Sequence, residues 1–220
     1  MSADTLPSAA GRVRRAVRWL LGAFAVVSIA IGLNLAFGPS ATAQEQGLGA
    51  QWAQDDALVE RGAQLFGANC ALCHGERGRG LVNDGPSSGP SLIGVGAASV
   101  DFMLRTGRMP MDNARHRLER SDPHVSDDER RALVAFVESL APGDGPDIPD
   151  VDGWEQADLS HGLELFTRNC AACHGPTAQG IAVGQRDVSS TLDVVAPIEI
   201  AEAIRSGPGV MPRFLDDTMD

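Results

Sequence analysis

The sequence has no lysine and no tyrosine, and only 5% of its 220 residues are aromatic. All 18 basic residues are therefore arginine, set against 29 acids for a formal net charge of −11. The missing lysines exclude a lysine-ringed docking face of the kind a diffusible basic protein presents. The acid excess argues against nucleic-acid binding, which needs a basic footprint. Scarce aromatics leave a small domain to fill its core by other means, and a large flat cofactor is one. A hydrophobic fraction of 43% fits a globular chain, not a disordered one. Cysteine is also sparse. The four present form two C-x-x-C pairs, Cys70/Cys73 and Cys170/Cys173, where a disulfide framework would scatter them.

The N-terminus sets the compartment. Residues 19–37 are apolar except for Ser28 and Asn34, and Arg12, Arg14, Arg15 and Arg18 precede them. At about 1.5 Å per residue such a run spans the ~30 Å hydrocarbon core. The positive-inside rule then puts the arginines in the cytoplasm and the rest of the chain outside. Ala41-Thr42-Ala43 offers the alternative of a cleaved signal, and Arg14-Arg15 that of twin-arginine export. The run exceeds the ~7–15 residues of a signal core, which favours a retained anchor. With four arginines against Asp4 in residues 1–43, about −14 of the net charge lies on the body.

The body repeats itself at an offset of 100 residues. Gly62, Leu65, Phe66, Asn69, Cys70, Ala71, Cys73, His74, Gly75 and Gly80 recur as Gly162, Leu165, Phe166, Asn169, Cys170, Ala171, Cys173, His174, Gly175 and Gly180. Leu92, Arg105 and Gly107 recur as Leu192, Arg205 and Gly207, and Met109-Pro110 recurs two residues later as Met211-Pro212. This is one domain in tandem, over residues 50–141 and 154–220. The Pro-, Gly- and Asp-rich stretch 142–153 reads as a linker. Within a copy the pattern is helical. Leu58, Gly62, Leu65, Phe66 and Asn69 share one helix face, and residues 99–106 form a short helix. Ser126-Asp127-Asp128-Glu129 is a capping box opening a helix with the stripe Leu133, Phe136, Val137 and Leu140. The glycine-rich loops between these helices are long enough to need something packed against them.

Each C-x-x-C is followed directly by histidine. Two cysteines three apart can form thioethers to one porphyrin edge, with the next histidine as axial ligand to its iron. The sixth ligand must come from across the ring, well downstream, where Met109 and Met211 stand. A methionine thioether raises the potential and closes the iron to small ligands, so one-electron transfer is expected. Met111 is an alternative to Met109 that the repeat disfavours, and Met103 reads as core. His116, His124 and His161 read as surface residues. Arg77, Arg79, Arg105 and Arg205 are candidates to pair haem propionates, against a plain reading as solvated arginines.

Other chemistries fit less well. Zinc ribbons space their pairs ~15–20 residues apart. A thioredoxin-like pair needs a strand–helix–strand setting, and a peroxidase needs one open iron and a longer chain. The second shell differs between copies. Gly89-Pro90-Ser91-Leu92 is similar to the loop that gives the histidine a proline carbonyl in class I cytochromes c, whereas copy two has Ser189-Ser190-Thr191-Leu192. A less rigid loop and a different potential are expected there.

The order of an arginine-flanked apolar N-terminus, a first C-x-x-C-H, Gly85-Pro86-Ser87-Ser88-Gly89-Pro90-Ser91-Leu92-Ile93-Gly94, Thr106-Gly107-Arg108-Met109-Pro110, a second C-x-x-C-H and Gly207-Pro208-Gly209-Val210-Met211-Pro212 resembles a known family. It is the dihaem cytochrome c subunit of the actinobacterial-type cytochrome bcc complex, the quinol–cytochrome c reductase. The resemblance implies a mainly α fold of tandem class I cytochrome c domains after an N-terminal transmembrane helix. It implies two covalent haems c, on Cys70/Cys73 and Cys170/Cys173, with His74/Met109 and His174/Met211 as axial ligands. It further implies cytochrome b and Rieske iron–sulfur subunits as partners and a relay of electrons to a terminal cytochrome c oxidase, at the extracytoplasmic face of the cell membrane. The family normally continues past Met211 with a closing helix and a C-terminal anchor, where this sequence has nine residues. A truncated frame, or a partner covering the gap, is therefore expected. Each large side chain left uncovered forfeits roughly 1.5–3 kcal/mol.

Overall fold

The computed structural model describes residues 47–81, 88–111, 118–183, 188–215 and 219. The apolar run 19–37, the segment 41–43 and His116 lie outside the described residues. Among the described residues no helix is long and apolar enough to cross a membrane, and pairing of extended chain is limited to the isolated bridges Leu81–Gly89 and Ala182–Val188.

Copy one starts with α1 (Leu48–Trp52), whose first N–H groups, on Gly49 and Ala50, donate to the Asp147 carboxylate at 2.8 and 3.1 Å. Asp55 caps α2 (Asp56–Asn69) by accepting from the N–H groups of Ala57 and Leu58. The one-turn helix α3 (Ala71–His74) follows directly. Next comes α4 (Ala97–Arg105), which begins two residues before the periodicity predicts. The reason is tertiary: Ala97 and Ala98 are fully buried, and Ala98 N–H donates to the Pro146 carbonyl at 3.0 Å. The predicted capping box is present, with the Ser126 hydroxyl and the Glu129 carboxylate bonding each other's backbone N–H at the start of α5 (Asp127–Ser139).

The core of copy one is Phe66, Leu104, Leu133, Phe136 and Val137. Helices α2 and α5 cross at Gly62, where a Cβ would lie 1.9 Å from the Ala132 carbonyl oxygen. A second cluster joins Ala97, Val134 and Ile148. Ile148 belongs to the stretch expected to link the copies, so part of that stretch folds back onto copy one.

Copy two repeats the entry helices as α6 (Leu159–Asn169), capped by Asp158, and α7 (Ala171–His174), followed by α8 (Pro197–Ser206). α8 starts 100 residues after α4, and these equivalent helices pack on one another, with Ile198 reaching the second cluster. Residues Gln46–Asp220 form one compact unit. The copies differ at the helix crossing. Nothing lies within 4 Å of a Cβ built on Gly162, no residue of α6 is buried, and Leu163 is 64% exposed.

These environments predict opposite effects for one substitution. Gly62→Ala must push α2 and α5 apart and should cost about 1–3 kcal/mol. Gly162→Ala meets no obstacle in this chain and should gain up to about 1 kcal/mol in helix propensity. Thermal unfolding of the two variants beside the parent checks both signs.

Candidate functional site

In each copy the first entry helix ends on the first cysteine of the motif. Cys70 N–H donates to the Phe66 carbonyl, and Cys170 N–H to that of Phe166, both at 2.8 Å. A single turn then brings the second cysteine and the histidine round. Cys73 and His74 N–H donate to the Cys70 carbonyl at 3.1 and 2.9 Å, and Cys173 and His174 to that of Cys170 at 3.0 and 2.8 Å. All four thiols are free.

The loop beyond wraps back to the histidine with the same bonds in both copies. Gly80 N–H donates to the His74 carbonyl at 2.6 Å, and Gly180 to that of His174 at 2.9 Å. Leu92 N–H donates to the Gly78 carbonyl at 2.7 Å, and Leu192 to that of Ala178 at 2.8 Å. This brings a carbonyl to each imidazole sixteen residues on. His74 Nδ1 donates to the Pro90 carbonyl at 2.8 Å, and His174 Nδ1 donates to the Ser190 carbonyl at 3.0 Å. With Nδ1 as donor the neutral ring keeps its Nε2 lone pair free to ligate a metal.

The copies hold that carbonyl by different means. In copy one Gly89 lets the loop press against the motif, since a Cβ there would meet the Cys73 carbonyl oxygen at 2.7 Å and His74 Nδ1 at 3.2 Å. In copy two Ser189 stands there. Its hydroxyl donates to the Cys173 carbonyl at 2.5 Å and accepts from Ile181 N–H at 2.9 Å. Asp193 adds a tie, accepting from Gln179 at 2.7 Å and from the Thr191 hydroxyl. The looser loop expected from the missing proline is therefore laced by side chains instead. Ala178 holds φ 60 where copy one has Gly78 at φ 64, a strain of roughly 1–2 kcal/mol that copy one carries one residue earlier, at Arg77 with φ 56.

Met109 packs on the core cluster of copy one that Cys70, Ala71 and Leu92 also line. Its loop is pinned to the end of α4. Met109 N–H donates to the Met103 carbonyl at 3.0 Å, and the Ser121 hydroxyl donates to the Gly107 carbonyl at 2.7 Å. Met211 is half-buried and donates its N–H to the Pro208 carbonyl at 3.1 Å. No buried core cluster among the described residues includes it.

The weaker candidates separate. Arg105 is bound by Asp101, and Arg205 donates to the Phe214 carbonyl at 3.3 Å. Arg77 and Arg79 are exposed, as are His124 and His161, while Met103 and Met111 are half-buried. Sequence reasoning gave no role to Arg108 or Glu202. Arg108 stacks over the Phe102 ring at 4.9 Å and has a buried Nη1 with no hydrogen-bond partner. Burial, chiefly, lowers its pKa. Burial likewise raises Cys70 to about 11, with Cys73 adding to the shift, and raises Cys170.

These observations fit a covalent porphyrin. The thiols are unpaired, the imidazoles are oriented for ligation, glycine or serine fits the loop to the motif, and Arg108 offers an unmet donor to an anionic group. Helix, C-x-x-C-H, carbonyl-anchored imidazole and methionine loop together define a c-type cytochrome. A family model described as cytochrome c matches residues 59–141, and one described as cytochrome c oxidase, cbb3-type, subunit III matches residues 157–220.

Three similar proteins are named cytochrome bc1 complex cytochrome c subunit. That of Corynebacterium diphtheriae is 34% identical over 93% of this chain and 76% of its own length. That of Mycobacterium leprae is 36% identical over 73% and 56%, and that of Mycobacterium tuberculosis 35% identical over 94% and 74%. The chain belongs to this family of cytochrome c subunits. Its cytochrome c domains imply covalently bound haem c, and its work is electron transfer.

Removing the Ser189 hydroxyl tests the lacing. Ser189→Ala leaves the Ile181 N–H without this acceptor and should cost about 1 kcal/mol. The loss should appear as weaker hydrogen-exchange protection of the Ile181 amide, read beside the parent.

Proposed function

We propose that the chain binds two haems c and serves as the electron-relay subunit of a quinol–cytochrome c reductase. It takes electrons from the Rieske iron–sulfur centre and delivers them to a terminal cytochrome c oxidase. The observation that carries the reading is that the whole thiol–thiol–imidazole–carbonyl unit is built twice with the same bonds. Cys70/Cys73 and Cys170/Cys173 would hold the haems, and His74/Met109 and His174/Met211 their irons. A bound haem c supplies a one-electron iron couple. The protein would do no bond-making of its own: the loop carbonyls orient the imidazoles, the methionines would close the irons to small ligands, and burial would tune the potentials.

The relatives' printed name, a subunit of the cytochrome bc1 complex, supports a complex with other subunits, and the family resemblance of the sequence supplies which ones. Cytochrome b, the Rieske subunit and the oxidase would dock on haem domains held outside the cytoplasm by the apolar run 19–37. The rival use of C-x-x-C, thiol–disulfide exchange, needs a cysteine with a lowered pKa. Here burial raises Cys70 and Cys170 instead.

Membrane extraction should co-purify the chain with a cytochrome b and a Rieske protein. A monodisperse soluble carrier without these partners would contradict the assignment. Met109→His should lower the potential of haem one alone, and Met211→His that of haem two alone, within the roughly 0.8 V range that axial ligands command. Met111→Leu should move neither. Redox titration of the three variants gives the result.

A further inference from the structure

Two acids meet in the seam between the copies. Asp101 on α4 and Glu202 on α8 are both 0% exposed. They break the repeat: at the offset of 100, Asp101 corresponds to Ala201 and Glu202 to Phe102, which is buried in copy one. The acids therefore belong to the contact between copies, not to the domain each copy inherited.

Their surroundings treat them differently. Asp101 is fully engaged. One carboxylate oxygen accepts from Arg105 at 2.8 and 2.5 Å, and the other accepts from Arg130. Glu202 has neither oxygen hydrogen-bonded, although both are buried. Its nearest ion-pair contact, Arg105 Nε, is 3.8 Å away, too far for a hydrogen bond. An ionised Glu202 would be a buried charge without a hydrogen-bond donor, an unfavourable state. A protonated Glu202 is itself a donor, and the Asp101 carboxylate lies within its reach.

We propose that Glu202 and Asp101 share one proton across the seam, and that this proton locks the two domains into a single relative placement. Arg105 and Arg130 neutralise the remaining charge, and Asp127 also pairs with Arg130 at 3.1 Å. On its own helix Glu202 has Glu199, bound in two-point fashion by Arg120 at 2.8 and 3.0 Å, and Arg205. The lock needs no haem. Its consequence, a fixed separation of two haems, rests on the reading that both copies hold one.

Burial first, then Asp101, lifts Glu202 from the ordinary carboxyl value of 4.5 to about 10, against the pull of Arg105 and Arg130. Docking therefore takes up a proton between those values. This contribution is fully present below 4.5 and weakens by up to about tenfold per pH unit until it levels off near 10.

Infrared spectra of the full haem-loaded chain at about neutral pH test the proton directly. A buried protonated carboxyl band should appear, shift in heavy water, and move on isotopic labelling of glutamate. Hydrogen exchange then tests the lock. Protection of α4 and α8 amides, corrected for intrinsic rates, should fall about a hundredfold over two pH units above neutrality. In Glu202→Gln, which keeps a neutral donor, that fall should vanish. Absence of a glutamate band in the native chain, or the same pH slope in Glu202→Gln, overturns the proposal.

Discussion

In both copies one hydrogen bond, from the histidine Nδ1 to a loop carbonyl sixteen residues on, dictates how the loop must run. The imidazole follows the second cysteine with no room for adjustment, so its orientation depends on what that nitrogen meets. Meeting a carbonyl forces the chain to double back across the motif. This accounts for the paired loop bonds to His74 and His174, the bridges Leu81–Gly89 and Ala182–Val188, and the small residue at 89 and 189. The result is an imidazole with one tautomer and a free ligating nitrogen, as a metal-bound histidine requires.

The two copies satisfy this constraint from different starting points. Copy one uses a glycine and a proline and seats its loop against a complete core, with Gly62 letting α2 meet α5. Copy two has neither that helix contact nor the proline. It substitutes the Ser189 and Asp193 side chains, each bonded to neighbouring loop or motif groups. A local hydrogen-bond network thus replaces stiffness that copy one draws from backbone and core. Against copy one, copy two packs α8 onto α4 and places Glu202 beside Asp101, so the repeat has become one compact unit.

The parts legible in the sequence were those with local causes. The motif cysteines and histidines, the capping box at Ser126, and the helix leading into Cys70 follow from spacing and periodicity, and the duplication from direct self-comparison. What was not legible depended on tertiary contact. Nothing in the run 142–153 announces that Ile148 enters a core or that Asp147 caps α1, because composition alone marks it as a connector. Arg105 looked available for a haem propionate because its partner, Asp101, lies four residues earlier in an unremarkable helix. Ser189 looked like a loss of rigidity because a hydroxyl's bonds depend on where the loop folds. Glu202 was invisible as a site, since a glutamate on an amphipathic helix normally faces water.

On the proposed function the duplicated unit would make two sites of one kind, each holding a covalent haem with histidine and methionine at its iron. The most direct measurement is a haem count per chain on the purified protein, combined with a redox titration followed in the visible spectrum. Two haems per chain and two one-electron steps are expected, both with the spectrum of histidine–methionine ligation. A single haem per chain, or a pair of cysteines recovered as a disulfide, would contradict that function.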